Sequence, residues 1–518
     1  MRRLLFSALI AAIIAMICIT ACKRTSNNTV STAITKSNFP VSVGTIFINK
    51  CATAGCHDAS SAQNADGLLL DSWEHLFNGG YDGASVVPYA VLYSPMLYFI
   101  NTDSTNGIPI AEPTMPISTT TSKMPYLTKA EFDTISNWIA RGAPDVNGNI
   151  AFSSNPATRQ KIYQTQSGCN EVAVIDAKTK LVMRYIAVGS GTNEAQHDVT
   201  VSSDGRYAYV SFYIGNIVQK IDCIADTVVA TCDMTPAFPP TGDGSWGILT
   251  LSPDNSTLMV SGFQQRSCVI AINTATMAVN LDLSIYGGGN YTTQYPYMHG
   301  LANNATFDTF YACIEYGNEI LKWWYETGVP HFKVVTLNSL PATNASSITP
   351  PLTPDPHQII MSPDYSKYFV TCENSAEVRV LSTANDQLLD SIPVGALPQE
   401  MAISASQNYL FVACMEDSTN TNSGSLGSVY VIDINTYAVV KKIYGYFYQP
   451  HDIAVDAQDG LLFISSTNIS PGGPPPHHIV GCAGRPGWYT VYDLNTLQPA
   501  DANQYTVLVN PYAISNRF

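Results

Sequence analysis

The stretch His451-Asp-Ile-Ala-Val-Asp-Ala-Gln-Asp-Gly460, followed at once by Leu461-Leu-Phe-Ile-Ser-Ser466, contains two short β-rich runs separated by a polar turn. A second copy reads Pro356-His357-Gln-Ile-Ile-Met-Ser-Pro-Asp364 and Lys367-Tyr-Phe-Val-Thr-Cys372. The segment Val429-Tyr-Val-Ile-Asp-Ile-Asn-Thr436 then alternates apolar and polar side chains up to an Asn-Thr turn, which is typical of a strand entering a hairpin. Together these phrases predict a repeated unit of four strands.

The same unit recurs along the chain. Its first strand starts near seven residues: His197, Trp246, His299, His357, Gln399, His451 and Tyr512. The chain enters the repeats at Ile162 with the pattern of a second strand, so Pro511-Tyr-Ala-Ile-Ser515 is predicted to complete the first sheet. The phrases resemble the YVTN-type β-propeller repeat. This resemblance implies a mainly β fold, a seven-bladed propeller over residues 162–518 closed by its C-terminal strand.

The residue just before each predicted first strand forms a chemically unusual set. Four of the seven are histidine, although the whole chain contains nine. Imidazole binds copper, zinc and iron, and the arrangement is similar to the copper site of the nitrous oxide reductase propeller, without that enzyme's cysteine-rich second domain. The alternative is that the histidines only form hydrogen bonds around a water-filled channel. The candidate site for a metal or substrate comprises His197, His299, His357, His451, His477 and His478.

A different motif precedes the repeats. Cys51-Ala-Thr-Ala-Gly-Cys56-His57 places a histidine directly after two thiols, the order used for covalent attachment of a c-type haem. A disulfide and part of a zinc site are the alternatives. The motif, two downstream Met-Pro pairs and a helical run ending at Gly142 resemble the small all-α cytochrome c domains fused to larger periplasmic proteins, here over residues 38–148.

This second resemblance implies one covalently attached haem c. Cys51 and Cys56 would be the attachment residues and His57 one axial ligand of the iron. Met124 is predicted as the other axial ligand, with Met115 as the alternative. The domain order is similar to that of the nitrite reductases that join a cytochrome c domain to a propeller holding a haem-d-type cofactor, although that propeller has eight blades.

The N-terminal residues predict the cellular location. Arg2-Arg3 precedes an apolar stretch, and Ile19-Thr-Ala-Cys22 resembles the lipobox that is cleaved before a lipidated cysteine. We therefore expect a signal peptide at 1–21, lipidation of Cys22, a flexible tether over 22–37 and a linker at 149–161. The expected location is the bacterial cell envelope, with the protein held by lipid in the outer membrane and facing the periplasm. An ordinary secretory signal and an anchoring helix are the alternatives.

Composition restricts the partners. Hydrophobic residues make up 46% of the 518 residues and charged residues only 13%, which excludes a largely disordered chain. The net charge of −15 argues against a nucleic-acid partner and favours a redox partner with a basic docking surface.

The sequence therefore predicts electron transfer through the haem, coupled to a propeller that binds a partner or substrate. One alternative is an oxidoreductase with a metal or a second haem at the histidine-lined propeller face. The other is a non-catalytic scaffold that binds protein or glycan. No catalytic residue is predicted. Cys223 and Cys232 are a candidate disulfide pair, because they lie close together in sequence across a predicted hairpin in an oxidising compartment, whereas Cys169, Cys268 and Cys482 have no identifiable partner.

Overall fold

The structure is a computed structural model, and it describes residues 32–117, 124–191, 194–235, 244–263, 268–286, 297–338, 354–422, 424–467, 482 and 486–517. The chain forms two compact units that divide between Ser154 and Asn155. The predicted signal peptide and Cys22 lie outside the described residues. None of the described helices has the length and apolar character needed to cross a membrane.

The first unit is built from short helices around one apolar core. The helices are α1 (32–36), α2 (Val41–Ile46), α3 (Trp73–Leu76), α4 (Pro95–Ile100) and α5 (Lys129–Ala140), with a π-helical turn at Phe47–Cys51 and 3₁₀ turns at Ala62–Asn64, Val91–Tyr93 and Ser104–Asn106. The identity of this unit as a cytochrome c-like domain stays a prediction.

Helix α5 has the features that its sequence predicts. Its buried face consists of Phe132, Ile135, Trp138 and Ile139 at helical spacing. Thr128 and Glu131 form a reciprocal capping box at its start. After its end, Gly142 has a φ of +91°, and a Cβ atom there would lie 2.6 Å from the ring of Tyr89. A glycine is therefore required at this position.

The second unit contains seven antiparallel four-stranded sheets, and the prediction of a mainly β seven-bladed propeller is confirmed. We number the sheets as blades I to VII and name the strands of each blade in the order in which they are hydrogen-bonded, beginning with the first strand of the repeat. Blade I comprises β28 (Pro511–Arg517), β1 (Lys161–Gln166), β2 (Glu171–Asp176) and β3 (Leu181–Ala187). Blade II comprises β4 (Gln196–Val201), β5 (Tyr207–Phe212), β6 (Ile217–Asp222) and β7 (Thr227–Asp233).

The remaining blades follow the chain in order. Blade III comprises β8 (Trp246–Leu251), β9 (Thr257–Gly262), β10 (Cys268–Asn273) and β11 (Ala278–Tyr286). Blade IV comprises β12 (Met298–Asn303), β13 (Thr309–Ile314), β14 (Glu319–Glu326) and β15 (Val329–Thr336). Blade V comprises β16 (Pro356–Met361), β17 (Lys367–Cys372), β18 (Glu377–Ser382) and β19 (Leu388–Pro393). Blade VI comprises β20 (Ala396–Ser404), β21 (Tyr409–Glu416), β22 (Ser428–Asp433) and β23 (Val439–Ile443). Blade VII comprises β24 (Pro450–Asp456), β25 (Leu461–Ser466), β26 (Trp488–Asp493) and β27 (Tyr505–Thr506).

The C-terminal strand closes the ring, as predicted. Strand β28 pairs antiparallel with β1, with Lys161 opposite Arg517 and Gln164 opposite Ile514. The first strand of every blade packs beside the first strand of the next, including β24 beside β28 and β28 beside β4. Blade I is thus made from the two ends of the propeller sequence, and its four strands share one sheet.

The polar turns of the repeat have a common structure. In three blades a serine hydroxyl donates to the carboxylate two residues later, over 2.6 Å in each case, and the pairs are Ser202 with Asp204, Ser252 with Asp254, and Ser362 with Asp364. Such local side-chain bonds favour a turn over a continued strand. The Ser-x-Asp phrases of the sequence therefore mark where the first strand ends and the second begins.

The predicted disulfide between Cys223 and Cys232 is wrong. Both thiols are free and buried, and Cys232 pairs in register with Val218, at the opposite end of the β6–β7 hairpin from Cys223. Nearness in sequence across a hairpin does not bring two residues together unless they are opposite each other in the register. The structure instead joins Cys169 to Cys482, which are 313 residues apart.

Arg517 gives a test of how much the closing strand stabilises the ring. Its guanidinium group is 2% exposed and donates to the carbonyl oxygens of Gly205, Pro156, Ala157 and Arg159. Arg517→Ala would leave these carbonyls without that donor, and we expect the free energy of unfolding to fall by about 2–4 kcal/mol in urea titrations.

Arg206 provides the matched control. Its side chain is 37% exposed and pairs with Asp222. Arg206→Ala should lower the free energy of unfolding much less than Arg517→Ala, because an exposed ion pair contributes little in water. Equal losses in the two variants would contradict the role given to Arg517.

Candidate functional site

The two thiols and the histidine of the Cys-x₄-Cys-His motif lie on one short segment. Cys51 ends the π-helical turn, and the backbone N–H of His57 donates to the Cys51 carbonyl over 3.1 Å. Both thiols are free and half-buried, so no disulfide joins them. Burial raises the pKa of the Cys51 thiol to about 12, with the neighbouring Cys56 adding to the effect.

The His57 ring is held in a defined orientation. Its Nδ1 lies 3.0 Å from the carbonyl oxygen of Leu68. A carbonyl only accepts, so Nδ1 carries the proton and Nε2 keeps a lone pair. Burial lowers the pKa of His57, which also favours the neutral ring. A metal-binding histidine is usually fixed in this way, and the residues present therefore fit an axial ligand.

The fold also ties this segment to the rest of the first unit. Lys50 Nζ lies 2.7 Å from a carboxylate oxygen of Glu131, the capping residue of α5. Cys51 and Met115 both pack against the core that contains Trp138. The second predicted methionine, Met124, is half-buried and is not among the side chains packed on that core.

In the propeller, five of the seven predicted ring positions meet. We call them the aromatic belt: Tyr512, His197, His299, His357 and His451. Neighbouring rings in this order have centroids 5.2, 5.0, 4.0 and 6.3 Å apart, and His451 returns to Tyr512 at 3.6 Å. All five side chains are at most 1% exposed.

The other two ring positions have different roles. Trp246 pairs with Gly262, as Gln196 pairs with Phe212, so Gly247 and not Trp246 is the residue of blade III that is equivalent to His197. The Trp246 ring packs in the apolar cluster between blades II and III with Val218 and Val260. Gln399 donates to Glu373 Oε1 over 2.6 Å. The two remaining residues of the candidate set, His477 and His478, lie outside the described residues.

A β-bulge in each blade positions the belt. In all seven first strands the register with the second strand shifts by one residue near the start of the strand. In blade II, for example, Gln196 is opposite Phe212 but Val199 is opposite Val210, so His197 and Asp198 lie in the bulge. A bulge bends the strand and re-aims its side chains, which gives each blade two neighbouring positions at the site.

The second bulge position often links adjacent blades. Asp198 accepts from the backbone N–H of Leu249 over 2.7 Å, Gln358 from that of Met401 over 2.5 Å, and Asp452 from that of Ile514 over 2.7 Å. The N–H group belongs in each case to the residue that follows the bulge in the next blade. We call this contact the bulge clip.

A glycine occupies the second bulge position in blade IV for a steric reason. A Cβ atom on Gly300 would lie 2.5 Å from the carbonyl oxygen of His357 in the next blade. The close approach lets Nδ1 of His299 reach that same carbonyl oxygen at 3.1 Å. Nδ1 of His299 therefore carries its proton, and Nε2 is the unprotonated nitrogen of the neutral ring.

Carboxylates surround His357. Its Nε2 lies 3.5 Å from Glu373 Oε1, and its Nδ1 lies 3.8 Å from Glu400 Oε1. Burial raises the pKa of Glu373 to about 8, with Asp355 adding to the shift. Burial also raises the pKa of Glu315 and of Glu400 well above the usual range. These three carboxyl groups therefore keep their protons at pH values where an exposed carboxyl group would be ionised.

These carboxylates were not among the residues predicted from the sequence. A signal was present, because an acid directly follows the ring residue at Asp198, Glu400 and Asp452. A second signal was the acid directly after the second strand, at Glu315 and Glu373. Alternation in a regular strand would direct such neighbours to opposite faces of the sheet, and only the bulges bring the first group to the site.

Comparisons with known proteins assign no family. No family model matches the chain, and no curated protein matches it. A functionally unknown protein from Desulfotomaculum acetoxidans DSM 771 is similar in structure, with a TM-score of 0.47 and 14% identity over 68% of this chain and 100% of that one. The dihydro-heme d1 dehydrogenase NirN in complex with DHE has a TM-score of 0.46 and 14% identity over 75% of this chain and 86% of that one. Similarity this distant does not bear on function.

Asp452 gives a pH test of the site. Burial raises the pKa of its carboxyl group to about 8 from the ordinary 3.8, with Asp198 adding to the shift. The folded chain therefore holds a proton that the unfolded chain loses, so stability falls as the pH rises from about 4 to about 8. Asp452→Asn should reduce that fall, by up to about 1.4 kcal/mol per pH unit, in urea titrations at several pH values.

Asp364→Asn is the control, because the pKa of Asp364 is shifted in the opposite direction to that of Asp452. Hydrogen bonds from Ser362 and Ser366 lower the pKa of Asp364 to about 2, so its contribution is lost only as the pH falls below about 4. The slope of stability between pH 5 and pH 8 should be unchanged in this variant. A slope in Asp452→Asn equal to that of the unmodified chain would contradict the assignment.

Proposed function

We propose that the protein is a c-type cytochrome of the bacterial cell envelope, which transfers electrons through one haem c and binds a partner or substrate with its propeller. The observation that supports this most is the hydrogen bond from His57 Nδ1 to the Leu68 carbonyl. It leaves Nε2 available for iron beside two free thiols at Cys51 and Cys56. When bound, haem c supplies a one-electron couple.

The alternative uses of these residues have less support. The thiols of Cys51 and Cys56 are not joined to each other. Together with His57 they do not form a cluster of donor atoms within 4.8 Å of one another, as a zinc site would need. Attachment of haem, by contrast, needs the thiols on one segment and the imidazole directly after them, and the backbone provides both.

The residues of the first unit hold the axial histidine in place. The Leu68 carbonyl orients the ring, the Leu70 N–H donates to the His57 carbonyl over 3.0 Å, and Lys50 ties the segment to α5. A ligand that does not need to move suits electron transfer, because little rearrangement then accompanies the change of charge on the iron. Met115 is the better supported second ligand, since it packs on the same core as Cys51.

The cellular setting of this proposal rests on the sequence. Cys22 would carry the lipid, and the acidic chain, with a net charge of −15, would dock to a redox partner with a basic surface. The location would be the outer membrane, with the protein facing the periplasm.

The test is the spectrum of the full chain matured in a host that attaches haem c. We expect one haem per chain that stays bound after denaturation, with a low-spin spectrum. His57→Ala should abolish the low-spin spectrum, because it removes an axial ligand. His75→Ala is the control, since His75 is half-exposed and pairs with Asp71. A low-spin spectrum that is unchanged in His57→Ala would contradict the proposal.

The same spectra distinguish the two methionines. Met115→Leu and Met124→Leu remove a thioether while keeping similar volume. We expect the former to lose the low-spin spectrum and the latter to retain it. The reverse result would make Met124 the ligand.

A further inference from the structure

The aromatic belt adjoins two groups of side chains whose donor atoms converge. One atom each from His299, His357 and Glu400 lies within 4.8 Å of the others, and the same holds for Glu315, His357 and Glu373. All but Glu373 are buried, and the side chain of Glu373 is 15% exposed. These are the two such groups in the part of the chain that the structure describes. Both belong wholly to the propeller.

Glu400 does not make the contact that its position makes in other blades. It is the second bulge residue of blade VI, and the bulge clip would direct its carboxylate to the backbone N–H of Ile453. That N–H group instead donates to Asp452 Oδ1 over 2.7 Å. Glu400 Oε1 is buried and accepts no hydrogen bond from any described residue. It lies 3.8 Å from His357 Nδ1.

The separation between these groups is too long for hydrogen bonds and suitable for a shared ion. An N–H···O hydrogen bond spans about 2.7–3.2 Å. The distance from His357 Nδ1 to Glu400 Oε1 is 3.8 Å. Two donors on one ion, each at about 2.0–2.2 Å, can lie up to about 4.2 Å apart.

A fourth donor is close to this group. His197 Nε2 lies 3.2 Å from His299 Nε2. This distance is that of a hydrogen bond between the two rings. Two imidazole nitrogens on a tetrahedral ion at about 2.0–2.1 Å would be about 3.3–3.4 Å apart, so an ion would replace this hydrogen bond with little movement of either ring. The His357 carbonyl orients His299 from the other side, as such a backbone group does for metal-binding histidines.

We propose that His299, His357 and Glu400 bind one divalent first-row transition ion, Zn²⁺ or Fe²⁺, with His197 beside the remaining position. Two imidazoles and a carboxylate form a mixed nitrogen and oxygen donor set that suits these ions. A divalent charge would also offset the cost of burying Glu400 beside other acids. Neither group of converging donor atoms among the described residues includes a thiol, so no soft sulfur ligand there favours Cu⁺.

This site goes beyond the proposed function and does not depend on the haem. Its test uses the full chain, freed of loosely held metal by a chelator, incubated with Zn²⁺ alone and then cleared of excess. We expect about one zinc per chain in the unmodified protein. Glu400→Gln keeps the size of the side chain and removes its charge. It should weaken zinc binding at least about 10-fold, because removal of a metal ligand weakens binding at least as much as removal of a residue that only orients a ligand. Anaerobic titration with Fe²⁺ should give the same pattern.

His331→Gln is the matched control. His331 is the exposed histidine of β15 and stacks on Trp324, far along the blade from the belt positions. Zinc binding should be unchanged in this variant. Cu²⁺ would be a poor probe, because it binds most nitrogen and oxygen sites more tightly than the other ions.

Several results would overturn the proposal. If the unmodified chain keeps no zinc, the proposal is wrong. This result does not depend on whether any variant folds. A folded Glu400→Gln chain that retains full zinc affinity would also overturn the proposal. The haem proposal fails separately, because His57→Ala should leave the zinc content unchanged while the haem spectrum is lost.

Discussion

The pairing of β28 with β1 is the interaction on which the propeller depends. It joins the two ends of a sequence that would otherwise leave blade I one strand short and expose the edge of β1. The same strand carries Tyr512, whose ring lies against both His451 and His197. Closure of the ring and completion of the aromatic belt are therefore one event. Arg517, at the other end of this strand, fastens it to the segment that enters blade I.

The bulges explain how a simple repeat produces an asymmetric site. Each first strand has one extra residue at the same place, so every blade offers two adjacent positions near the axis. Three blades use the second position for a bulge clip, and blade IV leaves it as glycine so that the next backbone can approach. Blade VI places Glu400 there without the clip. The residue at this one repeated position thus decides whether a blade uses it to bind the next blade or to supply a donor atom to the site.

The repeat, the blade number, the closing strand and the positions of the belt histidines could all be predicted from the sequence, because they depend on local periodicity and turn chemistry. The place of Glu400 at the site could not, because the bulge that brings it there adds one residue without a signature in composition. Trp246 is absent from the belt because it lies one residue before the position equivalent to His197, which is Gly247 in blade III, and a shift of one residue changes the face on which a strand side chain lies. The disulfide between Cys169 and Cys482 joins residues 313 positions apart. The spacing of cysteines along the chain could not predict it, because that spacing indicates only pairs that are close in sequence.

The contribution of the closing strand to the stability of the ring can be measured directly. A chain that lacks residues 511–518 is compared with the intact chain in thermal unfolding followed by the circular dichroism of the β-sheets. We expect the melting temperature of the shortened chain to lie more than about 10 °C below that of the intact chain. A synthetic peptide of the missing residues should restore part of this loss. A shortened chain that unfolds at the same temperature as the intact chain would contradict this expectation.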